Sequence, residues 1–350
     1  MTDMTLEELG WRPAFFQSLD LDQDSLEDLA RITAVHRDGY EAITPDGELR
    51  LRPMPADVEN GARATVGDWI VIDRALERPA RVLTRQSLFS RKAAGSANTT
   101  QLIAANVDAA FIVSSCNDDF NLPRLERYLA LVREAGAFPV IVLTKADLAD
   151  DAGAFIEAAR TITAEMPVEA LDARDVEASA GLTAWLGRHQ TLALLGSSGV
   201  GKTTLLNSLT GRNDAVATIR DDDAKGRHTT RARFMRPLRH GGWAIDLPGM
   251  RELGLANATG GLEATFADVL SLADNCRFND CQHESEPGCA VRTAINAGEL
   301  DPRRLSRFRK LEREIAHNDA TLAERRAKQK DFAKMARSIQ SQRWAHRNRS

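Results

Sequence analysis

The segment Gly196-Ser197-Ser198-Gly199-Val200-Gly201-Lys202-Thr203 constrains this chain more than any other. It satisfies the pattern G-x-x-x-x-G-K-S/T. It follows the apolar run Leu192-Ala193-Leu194-Leu195 and opens onto Leu205, Leu206 and Leu209 at helical spacing. A strand, a glycine-rich turn and a helix in that order make a phosphate-binding loop. Glycines let successive backbone N–H groups curl around an anion, and the helix N-terminus adds positive potential. Lys202 is then expected to reach the β- and γ-phosphates of a nucleotide. Thr203, with Thr204 behind it, is expected to meet the accompanying Mg²⁺.

The surroundings fit such a loop. Between about Thr100 and Leu255 the short apolar runs Ala110–Val113, Val140–Leu143 and Leu192–Leu195 alternate with helical stretches, Leu122–Ala135 and Asp151–Glu165. Continuous apolar runs of this length mark buried parallel strands, and the alternation predicts an α/β domain. Thr144-Lys145-Ala146-Asp147 follows the second run and resembles the guanine-selective motif N-K-x-D, with Thr for Asn. The Asp147 carboxylate can accept from both guanine N1–H and the N2 amine, a pair adenine does not offer, and the Lys145 stem can cover the base. Many surface turns contain Lys-x-Asp; at a strand end beside a phosphate loop it points to GTP over ATP. Asp246-Leu247-Pro248-Gly249 fits D-x-x-G, so Asp246 is expected to hold Mg²⁺ through water and Gly249 N–H to face the γ-phosphate. Gly226-Arg227-His228-Thr229-Thr230 is a candidate switch segment, with Thr230 preferred over Thr229 as the Mg²⁺-closing threonine and an ordinary polar loop as the alternative. Met250 stands where many GTPases carry a water-orienting glutamine, and a thioether cannot orient water. His228 is the nearest substitute, although a lone loop histidine is more often only solvated.

The order of these motifs is unusual. Asp147 precedes Gly196 and Asp246 comes last, so the arrangement is that of a circular permutation, which can preserve a site because domain termini often lie close together.

Residues 1–30 read as an acidic leader with a helix from about Leu6 to Phe16. The β-type runs Arg31–Val35, Tyr40–Thr44, Glu48–Leu51, Trp69–Ile72 and Ala80–Thr84 predict a small barrel, or a less specified β-domain. After Gly261 the chain turns helical. Asp301-Pro302 reads as a cap and first helical position, followed by Leu305, Phe308, Leu311 and Ile315 on one face. Within this region Cys276-x4-Cys281-x-His283-x5-Cys289 offers three thiols and an imidazole, a recognised tetrahedral Zn²⁺ set, with turn residues at Asn279-Asp280 and Glu286-Pro287-Gly288. Cys116 stands apart in an apolar segment and reads as a small buried hydrophobe. A hydrophobic content of 43% and a charged content of 27% are ordinary for a soluble globular chain. There is no run of eighteen apolar residues and no basic-then-apolar leader, so a cytoplasmic protein with no membrane partner is expected. The chain carries −4 overall, yet nine Lys or Arg against two acids give residues 321–350 a charge of +7. A basic tail on an acidic body points to a polyanionic partner, solvated charge being the plainer explanation. Trp344 among Arg343, His346 and Arg347 could stack on RNA.

Assembled, these residues resemble the RsgA (YjeQ) family of circularly permuted, ribosome-associated GTPases; Arg91-Lys92-Ala93-Ala94-Gly95 and Gly226 to Thr230 also look like family segments. The resemblance implies an OB-fold at 31–95, a permuted GTPase domain at 96–260 and a zinc-binding domain with a basic helical tail at 261–350. It implies GTP and GDP with Mg²⁺ as ligands, one structural Zn²⁺, and late maturation of the small ribosomal subunit. The partners it implies are 16S rRNA and ribosomal proteins, bound by a monomer whose hydrolysis the subunit stimulates. Met250 suits it, since the family has an apolar residue there. Two positions depart from it: Thr144, and Leu171-Asp172-Ala173, which carries Asp where the base-contacting loop commonly has Ser. Two other readings compete: an RNA-binding scaffold that holds GTP with negligible hydrolysis, and an ATP-dependent enzyme, against which Asp147 argues.

Overall fold

A computed structural model describes residues 4–20, 22–54, 63–92, 100–163, 165–212, 234–247 and 258–319. The first sheet is antiparallel and contains β1 (Leu29–His36), β2 (Gly39–Thr44), β3 (Gly47–Leu51), β4 (Trp69–Asp73) and β5 (Arg78–Val82) in the order β3-β2-β1-β4-β5. Its strands alternate between two interiors, as a period of two requires. Ala30, Ile32, Tyr40, Ala42, Ile70 and Ile72 fill the inside of the curled sheet. Leu29, Ile43, Trp69 and Val71 face outward into the main core. The Arg52 N–H donates to the Glu77 carbonyl at 2.8 Å, which ties the end of β3 to the start of β5 and curls the sheet into the barrel order of an OB-fold.

The helix expected over Leu6–Phe16 is confined to α1 (Pro13–Phe16). Gly10 has φ +91°, and a Cβ there would collide with the Arg31 guanidinium, so the chain turns rather than coils at that point. The leader is nevertheless packed: Leu9, Trp11 and Phe15 are buried, and the Trp11 ring stands edge-on to Trp69 at 4.9 Å.

A hairpin of β6 (Leu88–Lys92) and β7 (Thr100–Ala105) leads into the α/β layer, so the expected boundary at residue 95 falls within its connection. The elements that follow are β8 (Ala109–Ser115), α2 (Leu122–Glu134), β9 (Phe138–Thr144), α3 (Ala152–Arg160), β10 (Val168–Ala170), α4 (Val176–Gly181), β11 (Thr191–Leu195), α5 (Lys202–Thr210), β12 (Met235–Pro237) and β13 (Trp243–Asp246). The sheet order is β10-β9-β8-β11-β13-β12, parallel throughout except for the edge strand β12. Both faces are covered, which explains the uninterrupted apolar runs. Ala110, Ile112, Ile141, Leu143, Ala193 and Leu195 pack with Leu125, Leu129 and Val132 of α2. Phe111, Val113, Val140, Val142, Leu192 and Leu194 pack with Leu205, Leu206 and Leu209 of α5.

The last described elements are α6 (Thr259–Thr265), α7 (Ala267–Ala273), α8 (Ala290–Ala297) and α9 (Pro302–Asp319). A Cβ on Gly261 would lie 2.0 Å from the Ala130 carbonyl oxygen, so α6 approaches α2 as closely as glycine alone permits. Asp301 caps α9 by accepting from Arg303 N–H at 2.8 Å, and Leu305, Phe308, Leu311 and Ile315 are buried as their spacing predicts. No helix among the described residues is long and apolar enough to cross a membrane.

Candidate functional site

β8 leads towards β9 on one side while β11 lies on its other side, so the loops leaving β8 and β11 diverge. Ligands of open α/β sheets bind in the crevice that such a divergence opens at the carboxyl edge. The loop between β11 and α5 occupies it. Gly196, Gly199 and Gly201 have φ of +153°, +81° and +89°, backbone that L side chains rarely adopt. A Cβ on Gly196 would lie 2.3 Å from the Val113 carbonyl oxygen, and the space beside Gly199 is open. The loop therefore lies flat on the end of β8 and exposes its outer turn. Lys202 Nζ donates to the carbonyls of Gly196, at 2.8 Å, and Ser197. The amine thus spans the hollow enclosed by the loop. Ser197 is buried and points inward; its hydroxyl donates to Asp119 Oδ2 at 2.9 Å and accepts from Arg124 Nη1 at 2.7 Å. Ser198 and Gly199 are exposed, whereas Val200 is buried.

The guanine-type segment abuts this loop. Thr144 is fully buried, and its hydroxyl lies 2.6 Å from the Val200 carbonyl and 3.1 Å from that of Ser114. A hydroxyl has one proton to give, and the nearer acceptor, Val200, ties the end of β9 to the phosphate loop. Lys145 takes a left-handed φ of +58° and extends its amine to the Gly199 carbonyl at 2.9 Å, so its stem bridges the two motifs. Ala146 and Asp147 lie in a short 3₁₀ turn, with the Asp147 carboxylate accepting from Arg174 Nη2 at 2.6 Å. Residues 171–173 follow β10, in register with the end of β9, so Asp172 comes beside Asp147 as its place in the sequence leads one to expect. The side-chain hydrogen bonds from Arg174, then its backbone N–H, hold the Asp172 carboxyl below its ordinary pKa.

Asp246 ends β13 in register with Leu194, two residues before Gly196, and Thr203 sits in the first turn of α5. Two of the three candidate Mg²⁺ ligands, Thr203 and Asp246, thus flank one loop. Gly249, Met250, His228, Thr229 and Thr230 lie outside the described residues, as do Ala93–Gly95 and the basic tail.

The cysteine–histidine cluster forms as its spacing predicts. Cys276 Sγ is 3.9 Å from Cys289 Sγ and 3.6 Å from His283 Nδ1, Cys289 Sγ is 3.5 Å from His283 Nδ1, and the four ligand atoms, with Cys281, all lie within 4.8 Å of one another. A tetrahedral Zn²⁺ with bonds of about 2.3 Å to sulfur and about 2.0 Å to nitrogen demands S···S near ~3.8 Å and S···N near ~3.5 Å. The donor set fits that ion. Cys289 caps α8 and accepts from Arg292 N–H at 3.5 Å. Burial opposes ionisation of Cys276, but the Val291 and Ala290 N–H groups at the start of α8, together with Cys289 and Cys281, lower its pKa. Burial, then the nearby Arg309 charge, lowers the pKa of His283.

The RsgA GTPase family model matches residues 82–256. Over 341 residues the chain is 48% identical to Small ribosomal subunit biogenesis GTPase RsgA 2 of Vibrio parahaemolyticus, spanning 97% of this chain and 94% of that protein. The chain belongs to the RsgA GTPase family. It is also 46% identical over 318 residues to Small ribosomal subunit biogenesis GTPase RsgA of Mesorhizobium japonicum, covering 90% of this chain and 91% of that one. Among solved structures it resembles YjeQ from Thermotoga maritima, with TM-score 0.60 and 21% identity over 83% of this chain and 98% of that one. It likewise resembles YloQ, a circularly permuted GTPase, with TM-score 0.57 and 23% identity over 83% and 96%. The permuted order read from the motifs is therefore that of the fold.

Three residues of this RsgA site escape sequence reading: Asp119, Arg124 and Arg174. Asn121-Leu122-Pro123 offered a signal for the first two. It is a cap with proline in the first turn, and Asn121 accepts from Arg124 N–H at 3.0 Å, marking a helix that starts at the ligand-binding edge of the sheet.

Proposed function

We propose that this protein hydrolyses GTP to GDP and phosphate during late maturation of the small ribosomal subunit, and that the subunit stimulates the reaction. The observation that carries the reading is the convergence of a glycine-shaped phosphate loop with Lys145 and Asp147 at one sheet edge, Lys145 reaching Gly199 at 2.9 Å. Loop N–H groups and Lys202 hold the β- and γ-phosphates and offset charge as it shifts in the transition state. Lys145 and Ala146 flank the base and Asp147 accepts from its N1–H and N2 amine, while the buried Thr144 hydroxyl keeps the two loops in register. Water attacks the γ-phosphorus as its bond to the bridging oxygen breaks, GDP leaving with that oxygen. Mg²⁺, bound by Thr203, Thr230 and, through water, Asp246, would neutralise the phosphate oxygens. Gly249, by its place in the D-x-x-G motif, would turn its N–H to the γ-phosphate. Met250 cannot orient the water, so His228 or a group supplied by the partner does, and the isolated protein turns over slowly.

Cys276, Cys281, His283 and Cys289 would hold a structural Zn²⁺ and so tie the C-terminal helices together; a site with four protein ligands would leave no open position for catalysis. The barrel and the +7 tail meet 16S rRNA, with ribosomal proteins beside it, and the protein acts as a cytoplasmic monomer. The names of the Vibrio and Mesorhizobium relatives support the subunit as partner.

The test is GTP turnover by the purified protein, alone and with isolated small subunits, with ATP as control. Strong stimulation confined to GTP is expected. Tight GTP binding with no stimulated turnover would replace the enzyme reading with that of a nucleotide-holding scaffold.

A further inference from the structure

Arg174 lies between two carboxylates at the base-recognising end of the site. Its Nη2 donates to Asp147 Oδ2 at 2.6 Å. Its Nε donates to Asp172 Oδ1 and its Nη2 to Asp172 Oδ2, each at 2.9 Å, in the fork-on-carboxylate geometry of a bidentate pair. The Arg174 backbone N–H also donates to Asp172 Oδ1 at 2.9 Å, so the loop itself fixes Asp172. The chain of contacts runs from backbone to Asp172, from Asp172 to the guanidinium, and from the guanidinium to Asp147.

We propose that Arg174, braced by Asp172, is a specificity-positioning residue that sets the rotation of the Asp147 carboxylate for guanine. The proposal rests on the assignment of Asp147 to guanine recognition. A carboxylate has two oxygens and about four acceptor directions. Arg174 takes one on Oδ2, which leaves Oδ1 and the second direction on Oδ2 for two donors. Guanine must reach both oxygens of the group, through N1–H and the N2 amine. An aspartate carboxylate turns easily because its χ2 is broad, so without the brace the N2 contact loosens before the N1 contact does. Asp172, at the position where the family's base-contacting loop commonly has Ser, thus acquires a use: it holds the brace and not the base. The hydrogen bonds it donates to Asp172, then the Asp172 charge, raise the pKa of Arg174, so the brace stays cationic across the working range. The guanidinium is 67% exposed, and exposed ion pairs add little to fold stability, so its removal leaves the fold in place.

The experiment measures displacement of fluorescent GDP from the full chain by GTP, by ITP, which lacks the N2 amine, and by ATP. The unsubstituted protein is expected to prefer GTP to ITP, and both to ATP. Arg174→Ala is expected to cut the GTP-over-ITP preference by about tenfold, the worth of one buried hydrogen bond, while ITP affinity changes little. Arg174→Lys keeps the charge but not the fork and is expected to recover only part of the preference; Asp172→Asn should weaken it in the same direction. An unchanged ratio in Arg174→Ala, or equal loss of GTP and ITP binding, overturns the positioning role and leaves the guanine reading standing. A protein that binds ATP as well as GTP before any substitution overturns the guanine reading and this proposal with it.

Discussion

Thr144 shows how much a single hydroxyl can decide. It is fully buried, and its bond to the Val200 carbonyl joins the base loop to the phosphate loop. Thr144→Val keeps the shape and removes the donor, so the carbonyl loses this partner at a cost of about 1–3 kcal/mol. The substitution is expected to lower the unfolding free energy measured by urea titration by that amount and to weaken GDP binding in a fluorescence titration. Loss of stability with unchanged GDP affinity would detach the hydroxyl from the site. Thr144-Lys145-Ala146-Asp147 stood out in the sequence because its four residues lie together at one strand end. The Arg124–Ser197 and Arg174–Asp147 contacts did not, since 73 and 27 residues separate the partners and only the folded sheet brings them together. Motifs encode the groups that touch a ligand; the groups that hold those groups are set by tertiary neighbours.

Among the elements, α2 joins the nucleotide loop to the C-terminal helices. Arg124 in its first turn bonds Ser197, and two residues later Glu126 is fully buried beneath α9. Glu126 accepts from Arg304 Nη1 at 2.7 Å and Arg307 Nε at 2.8 Å, and Arg127 meets Glu314 at 2.5 Å. Arg304 also reaches Asp268 and stacks 4.1 Å above Phe266. Without Glu126 the buried Arg304 keeps only the half-exposed Asp268 as a counter-charge, so the loss falls near the lower end of the about 3–5 kcal/mol that breaking a buried pair costs. Glu126→Ala is thus expected to lower thermal stability by that order. Arg160→Ala, which breaks the exposed pair with Glu157, should cost about 0–1 kcal/mol. Equal midpoints for the two variants would mean that α9 does not depend on this anchor. The strand runs and α9 were legible because periodicity reports burial. The helix expected from Leu6 failed because Gly10 turns the chain and Pro13 starts a new element only four residues long. β12, with three residues, is too short to carry a period.

For the molecule as a whole, one apolar core runs from Leu9 and Phe15 of the leader through the parallel sheet to Leu311 and Ile315 of α9. A local change at either end is therefore felt as a change in cooperative stability, even where the nucleotide site is untouched. The cysteine–histidine cluster tests this. Cys276 follows α7 and Cys289 caps α8, so a metal held there would fix α7 and α8 to each other, and α7 packs against α9. One zinc per chain is expected by elemental analysis, and Cys276→Ser or exhaustive chelation should remove it. Because binding to folded ligands is folding free energy, the metal-free protein is expected to unfold at a lower temperature and to lose most of its subunit-stimulated turnover. GDP affinity should hold within about twofold, a difference of less than ~0.5 kcal/mol, because no cluster residue touches the phosphate or base loops. If GDP binding collapses together with zinc, the cluster and the nucleotide site form one folding unit, and the loss of stimulation would report unfolding and not a lost contact with the subunit. If binding survives and stimulation disappears, the C-terminal helices are the surface through which the subunit acts, with α2 as their connection to Ser197.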